Sequence, residues 1–168
     1  MSHFQITVVC LGNICRSPIA EAVVRHRLAA ARLAEHVRVD SAGTGDWHLG
    51  YPVDPRAQAT LARHGYALEH RARQIDPTWF AGIDLALAMD TANYADLRTM
   101  LDAAGTRTEV RMLRGFDPAL ADVVEPSGLL DVPDPYYGGD EGFDTVLTMI
   151  ERAADGLVER LRAGAWQR

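Results

Sequence analysis

Val8-Val9-Cys10-Leu11-Gly12-Asn13-Ile14-Cys15-Arg16-Ser17-Pro18 begins eight residues into a chain of 168. An apolar, β-branched run ends in a cysteine, and a serine-proline pair then opens a helical pattern. Ser17 stands at the expected N-cap and Pro18 in the first helical turn. The first N–H groups of a helix have no intrahelical partner, and the helix dipole adds a partial positive charge there. Gly12 allows close backbone approach, and Asn13 tolerates a left-handed conformation. Residues 11–16 can therefore curl into a nest of N–H groups around an anion, with Arg16 closing it by a bidentate fork. The same positive surroundings favour the thiolate of Cys10, a nucleophile beneath the bound anion. The Ser17 hydroxyl is within reach to donate to that sulfur.

Working outward, Phe4–Cys10 reads as a strand and 17–33 as a helix with Ala20, Val23, Val24 and Leu28 on one face. Val37–Ser41 is a second strand. A helix opens at Asp54-Pro55 and closes at Gly65. Ile83–Met89 is a third strand, followed by the N-cap Asp90 and a helix over 91–103 that ends at Gly105. Glu109–Leu113 is the fourth strand, 116–139 a long loop with one short helix, and 141–163 the last helix. Alternating strands and helices predict an α/β fold: one domain over 1–168, a doubly wound sheet of about four parallel strands, helices on both faces and an anion-binding loop after strand 1. Ligands of such sheets bind beyond the carboxyl ends of the strands, where Cys10 lies.

The formal net charge of −6 argues against a general nucleic-acid binder. No apolar run reaches the ~20 residues of a membrane span, and no signal-peptide pattern stands at the start, so the cytoplasm is the expected compartment. Two cysteines make no disulfide framework, and Cys10 with Cys15 breaks the ligand spacing of zinc sites. All 17 basic residues are arginine, a bias consistent with a GC-rich genome.

The run Cys10–Pro18 resembles the signature of the low-molecular-weight protein tyrosine phosphatases. Ser41-Ala42-Gly43-Thr44 with Trp47, His70-Arg71-Ala72-Arg73-Gln74, Met89-Asp90 and Asp134-Pro135-Tyr136-Tyr137-Gly138 match further motifs in the family's order. The resemblance implies hydrolysis of phosphotyrosine without metal or cofactor, through a phosphocysteine on Cys10. Arg16 and the loop Leu11, Gly12, Asn13, Ile14, Cys15 and Ser17 would hold the phosphoryl oxygens. Asp134 would protonate the leaving phenolate and later activate water; from the residues alone, Asp131 and Asp140 are equal candidates. Asn13, Ser41 and His70 match positions that brace the loop; unaided, Ser41 reads as a strand-end residue and His70 as an exposed histidine. Trp47, Tyr136 and Tyr137 match aromatic positions lining a slot for a phenyl ring, with Leu11 and His48 as tuning positions.

Implied partners are tyrosine-phosphorylated proteins, with inorganic phosphate or vanadate as inhibitors and a monomer or weak self-associate through exposed aromatics. A Cys10–Cys15 disulfide and phosphorylation of Tyr136 or Tyr137 are regulatory expectations. Three rivals stand beside this reading. An arsenate reductase on the same fold needs relay cysteines after Cys15, and there are none. A phosphoarginine phosphatase resembles a signature with threonine where this chain has Ile14. A non-catalytic phosphotyrosine-binding module would not require both Cys10 and Asp134.

Overall fold

The computed structural model of the protein describes residues 3–166. Strands β1 (Phe4–Cys10), β2 (Val37–Gly43), β3 (Leu85–Ala88) and β4 (Glu109–Met112) form one parallel sheet in the order β2-β1-β3-β4. The helices are α1 (Arg16–Ala30), α2 (Pro55–Arg63), α3 (Thr91–Ala104) and α4 (Glu141–Arg160). The expected single α/β domain with a doubly wound parallel sheet is the observed fold. The chain leaves β1 for β2 on one side and then crosses to β3 on the other. In register, Cys10 pairs with Gly43 and Val9 with Ala88, so the crevice of the topological switch opens directly beyond Cys10.

Side chains of β1 alternate between two cores, as the period of a strand requires. Ile6, Val8 and Cys10 pack with Ile19, Val23 and Leu28 of α1 and Phe143, Val146 and Ile150 of α4. Val9 packs with Ala86, Ala88, Phe80, Leu97 and Leu101 on the α3 side. Burial on both faces explains why the end of β1, Val8-Val9-Cys10, is apolar without alternation. The outer edge of β2 is guarded by arginines: Arg25 donates to Val39 O at 3.3 Å and Arg73 to Ser41 O at 2.9 Å. Charged groups on an edge discourage pairing with another chain.

Several boundaries differ from expectation. Helix α1 ends at Ala30 rather than at residue 33, because Arg32 takes a left-handed φ of 60°. It begins at Arg16 with Cys15 as N-cap and no side-chain cap, so Ser17 is not the cap. Strand β2 continues to Gly43, and β3 covers only the middle of its predicted range. Helix α4 stops at Arg160, and a π-helical turn carries the chain to Ala165, with Gly164 at a φ of 98°. The long loop holds 3-10 turns at Pro118–Leu120 and Gly128–Leu130, and another spans Pro77–Gly82. In each, the residue before the turn (Asp117, Ser127 or Asp76) accepts a hydrogen bond from the N–H two residues on. Such local bonds form turns that no apolar period announces.

Candidate active site

The carbonyls of Cys10, Leu11, Asn13, Ile14 and Cys15 are turned outward and occupied. Thr44 N and Gly45 N each donate at 2.9 Å to Cys10 O and Leu11 O. Asp54 N donates to Ile14 O at 2.9 Å and Ile19 N to Cys15 O at 3.1 Å. His70 Nε2–H donates to Asn13 O at 2.7 Å. Among the described residues, the N–H groups of Leu11, Gly12, Ile14 and Cys15 have no partner, while Asn13 N donates to Cys10 Sγ at 3.3 Å. A ring of free donors whose carbonyls are engaged elsewhere is a site for an oxyanion.

Two backbone features make the curl possible. Asn13 adopts a φ of 57°, which asparagine tolerates better than most residues. Behind it, a Cβ on Gly43 would stand 2.6 Å from Leu11 O, so only glycine lets β2 press this close.

Asn13 is fully buried and makes hydrogen bonds with both polar atoms of its side chain. Its Oδ1 accepts from Arg73 N at 3.0 Å, which fixes the amide orientation. Its Nδ2 then donates to Ser17 Oγ at 2.9 Å and Ser41 Oγ at 3.0 Å. Ser41 Oγ donates to Glu21 Oε1 at 2.6 Å. Ser17 Oγ, already an acceptor from Asn13, lies 2.9 Å from Cys10 Sγ and 3.5 Å from Ala42 O, and the sulfur is the nearer acceptor for its proton. Ser17 thus serves the thiol rather than the helix end. Asn13, Ser41 and His70 converge on the loop, and His70 is half-buried rather than exposed.

Arg16 is 3% exposed. It donates to Asp90 Oδ2 at 2.6 Å and Val132 O at 3.0 Å, and its NH2 lies 3.6 Å from Asp134 Oδ2. Burial opposes its charge, but Cys10, Asp90 and Asp134 outweigh that and raise its pKa. Asp90 caps α3 as expected, accepting from Asn93 N at 2.8 Å, and it also orients Arg16, a role the sequence reading missed. The available signal was its position just beyond the carboxyl end of β3, on the same rim of the sheet as Cys10. Asp131 accepts from Thr91 N at 2.8 Å, away from the crevice. Cys15 is buried; desolvation first, then the charges of Asp54, Cys10 and Asp134, push its thiol far above the ordinary range and keep it protonated.

The loop floors a cavity of about 320 Å³. Its floor is Cys10–Gly12 and Ile14–Arg16; its walls are Trp47, His48, Asp134, Tyr136 and Tyr137. Tyr136 is half-buried, its ring 5.9 Å from His48 and 4.9 Å from Tyr137, which meets it edge to face. Trp47 and Tyr137 are 67% and 91% exposed. The structure therefore gathers the expected floor and rim residues in one place. Glu21 and Arg73 are additions; Glu21 lies one helical turn after Ser17, on the same face, a signal left unused.

A buried thiol beneath an oxyanion nest, at the switch point of a doubly wound sheet and facing an arginine and a carboxylate, defines an α/β protein equipped for thiol-based chemistry on an oxyanion. The family model for low molecular weight phosphotyrosine protein phosphatase matches residues 5–165. A low molecular weight protein-tyrosine-phosphatase of Streptomyces coelicolor is 48% identical over 159 residues, 95% of this chain and 94% of the relative. This chain belongs to the low-molecular-weight phosphotyrosine protein phosphatase family. Among solved structures, a protein tyrosine phosphatase from Entamoeba histolytica superposes with a TM-score of 0.84 at 33% identity, covering 96% of this chain and 98% of the other. A Drosophila arginine phosphatase gives 0.85 at 27% identity, covering 94% and 98%. The two TM-scores are nearly equal, so fold alone does not separate the substrates.

Proposed function

We propose that this protein hydrolyses phosphotyrosine in proteins through a phosphocysteine on Cys10. The observation that carries the reading is Cys10 Sγ, 2.9 Å from Ser17 Oγ and 2% exposed, within a loop where the N–H groups of Leu11, Gly12, Ile14 and Cys15 are free and the carbonyls of Leu11, Asn13, Ile14 and Cys15 are engaged. The amides of residues 11–16 and the Arg16 fork bind the three non-bridging phosphoryl oxygens. The sulfur attacks phosphorus opposite the leaving oxygen, forming S–P as O–P breaks, while Asp134 gives its proton to the phenolate. Water then attacks phosphorus with Asp134 as base, S–P breaks, and the departing thiolate accepts the Ser17 hydrogen bond. The charge that develops is met by preorganised donors, so the loop itself supplies electrostatic stabilisation.

Trp47, Tyr136 and Tyr137 give the phenyl ring an apolar slot, leaving Leu11 and His48 to tune it. Phosphate and vanadate would compete for the nest. The chain would act in the reducing cytoplasm as a monomer or weak self-associate, where peroxide could join Cys10 to Cys15 reversibly, and Tyr137 is the more accessible of the two tyrosines.

The test is hydrolysis of p-nitrophenyl phosphate near pH 6, with phosphotyrosine, phosphoserine and phosphoarginine peptides beside it. Cys10→Ser should abolish turnover. Asp134→Asn should cost about 10²–10⁴-fold in kcat/KM with phenyl phosphate. Asp131→Asn should stay near the wild type. Preference for phosphoarginine, or the two aspartates exchanging roles, would overturn the assignment.

A further inference from the structure

Arg56 belongs to neither the anion loop nor the acid loop, yet it touches the second and is held by the residue that touches the first. Its Nε and NH2 donate to Asp54 Oδ1 and Oδ2 at 3.2 and 3.1 Å. The same guanidinium donates to Tyr136 O at 2.9 Å and Gly138 O at 3.3 Å. It lies over the rings of Phe143 and Tyr136, 4.8 and 5.5 Å from their centroids. Tyr136 N in turn donates to Asp134 Oδ1 at 3.0 Å. The backbone of Tyr136 is thereby gripped at both ends, its carbonyl by Arg56 and its N–H by Asp134.

The other end of this chain is equally defined. Asp54 is 8% exposed, caps α2 by accepting from Arg56 N at 2.8 Å, and donates its own N–H to Ile14 O at 2.9 Å. A continuous run of hydrogen bonds therefore joins the anion loop to the acid: Ile14, Asp54, Arg56, Tyr136, Asp134. No other side chain among the described residues donates to the carbonyls of Tyr136 or Gly138. Besides these bonds, Gly138 N donates to Pro135 O at 3.1 Å within the loop, and Arg16 NH2 reaches Asp134 Oδ2 only at 3.6 Å.

We propose that Arg56, oriented by Asp54, is a positioning residue for Asp134, setting the distance between the proton donor and the anion loop. The inference rests on the phosphatase reading above and on Asp134 as the acid. It follows that Arg56 acts on leaving-group protonation and not on oxyanion binding. A displacement of about 1 Å in a positioned group can cost on the order of 10²-fold. That loss falls on leaving groups that need the proton.

The experiment measures kcat/KM for aryl phosphates with leaving phenols from p-nitrophenol to phenol, together with vanadate inhibition and thermal unfolding. The proteins are wild type, Asp134→Asn, Arg56→Met and Arg56→Lys. Methionine keeps an apolar stem against Phe143 and removes every donor; lysine restores one charged donor nitrogen without the guanidinium fork and keeps the variant set informative if methionine unfolds the chain. Wild type should depend weakly on the leaving group and Asp134→Asn steeply. Arg56→Met should lose roughly 10- to 100-fold with phenyl phosphate, severalfold or less with p-nitrophenyl phosphate, and nothing in vanadate affinity, with Arg56→Lys between it and wild type. An inactive wild type would overturn the phosphatase reading itself. An active wild type with a steep Asp134→Asn, but with Arg56 variants that fall equally for every leaving group or not at all, would overturn this inference alone.

Discussion

The floor and the rim of the cavity are built on opposite terms. On the floor, Asn13, Ser17, Ser41 and Cys10 are all 2% exposed or less and joined by hydrogen bonds of 2.9–3.3 Å. On the rim, Trp47 and Tyr137 are 67% and 91% exposed; Tyr137 meets Tyr136 edge to face, and the Trp47 ring lies against Gly45. In a water-excluded site each hydrogen bond is stronger and each unmade one more costly. The floor is thus committed to one geometry, whereas the rim can accept whatever surrounds the phosphorylated residue. The thiol and the anion nest lie in the tightly bonded part, whereas Asp134 and the aromatic side chains lie in the more exposed one.

The largest break in this contrast is Asn13→Ala. It strands Ser17, Ser41 and Arg73 N without their shared partner, and alanine is a poorer occupant of a φ of 57°. Buried polar groups left unsatisfied cost about 1–3 kcal/mol each where no water replaces the partner. The expected outcome is a loss of about 2–4 kcal/mol in urea unfolding, with vanadate affinity and kcat falling together. A variant as stable and active as wild type would mean that the floor is not held by this network.

Much of the floor was legible because it is local. Cys10, Gly12, Asn13, Arg16 and Ser17 sit in one run, and the period-2 and period-3.6 patterns on either side fixed the strand and the helix. What arrives from elsewhere was legible only where a family motif marked it, as at Ser41, His70 and Asp134. Asp90 is 74 residues from Arg16 and meets it because the parallel sheet aligns the carboxyl ends of β1 and β3; Arg73 is 60 from Asn13 and arrives on the segment after α2 that bridges to the end of β2 at Gly43. Ser17 misled for a physical reason: serine before proline is a good cap, but the thiol offered its hydroxyl a closer partner. Asp54-Pro55 announced a helix start and concealed the second use of the Asp54 carboxylate, its grip on Arg56.

A pH test sharpens the boundary between floor and rim, where Asp54 sits. Burial alone would raise its pKa, but hydrogen bonds and charge from Arg56 outweigh that, so the folded value lies below the unfolded one. A depressed carboxylate stabilises the fold above its unfolded pKa of about 3.9, and that stabilisation fades as pH falls through the lower folded value. The Asp54→Asn variant would still cap α2 but would lose the ion pair with Arg56. Wild type should therefore exceed Asp54→Asn in stability at pH 7, by about 1 kcal/mol for a partly exposed pair, and the gap should close below about pH 4. A gap that is constant across the acid range would show that the carboxylate's charge is not what secures this joint.

The smallest effect is expected on the rim. Trp47→Ala removes an exposed ring that lines the cavity and closes no buried network, so stability should stay within about 0.5 kcal/mol of wild type. Tyr137→Ala also forfeits an edge-to-face contact with Tyr136 worth about 0.5–1.5 kcal/mol at most. Both should raise KM for phosphotyrosine peptides by severalfold, about 1 kcal/mol of binding, with kcat little changed. Binding lost equally from ground and transition states appears in KM alone. Because the anion nest does not involve these rings, inhibition by vanadate should be unaffected. If instead kcat fell while KM held, the rim would be supporting the geometry of Asp134, and the division of labour between floor and rim would have to be redrawn.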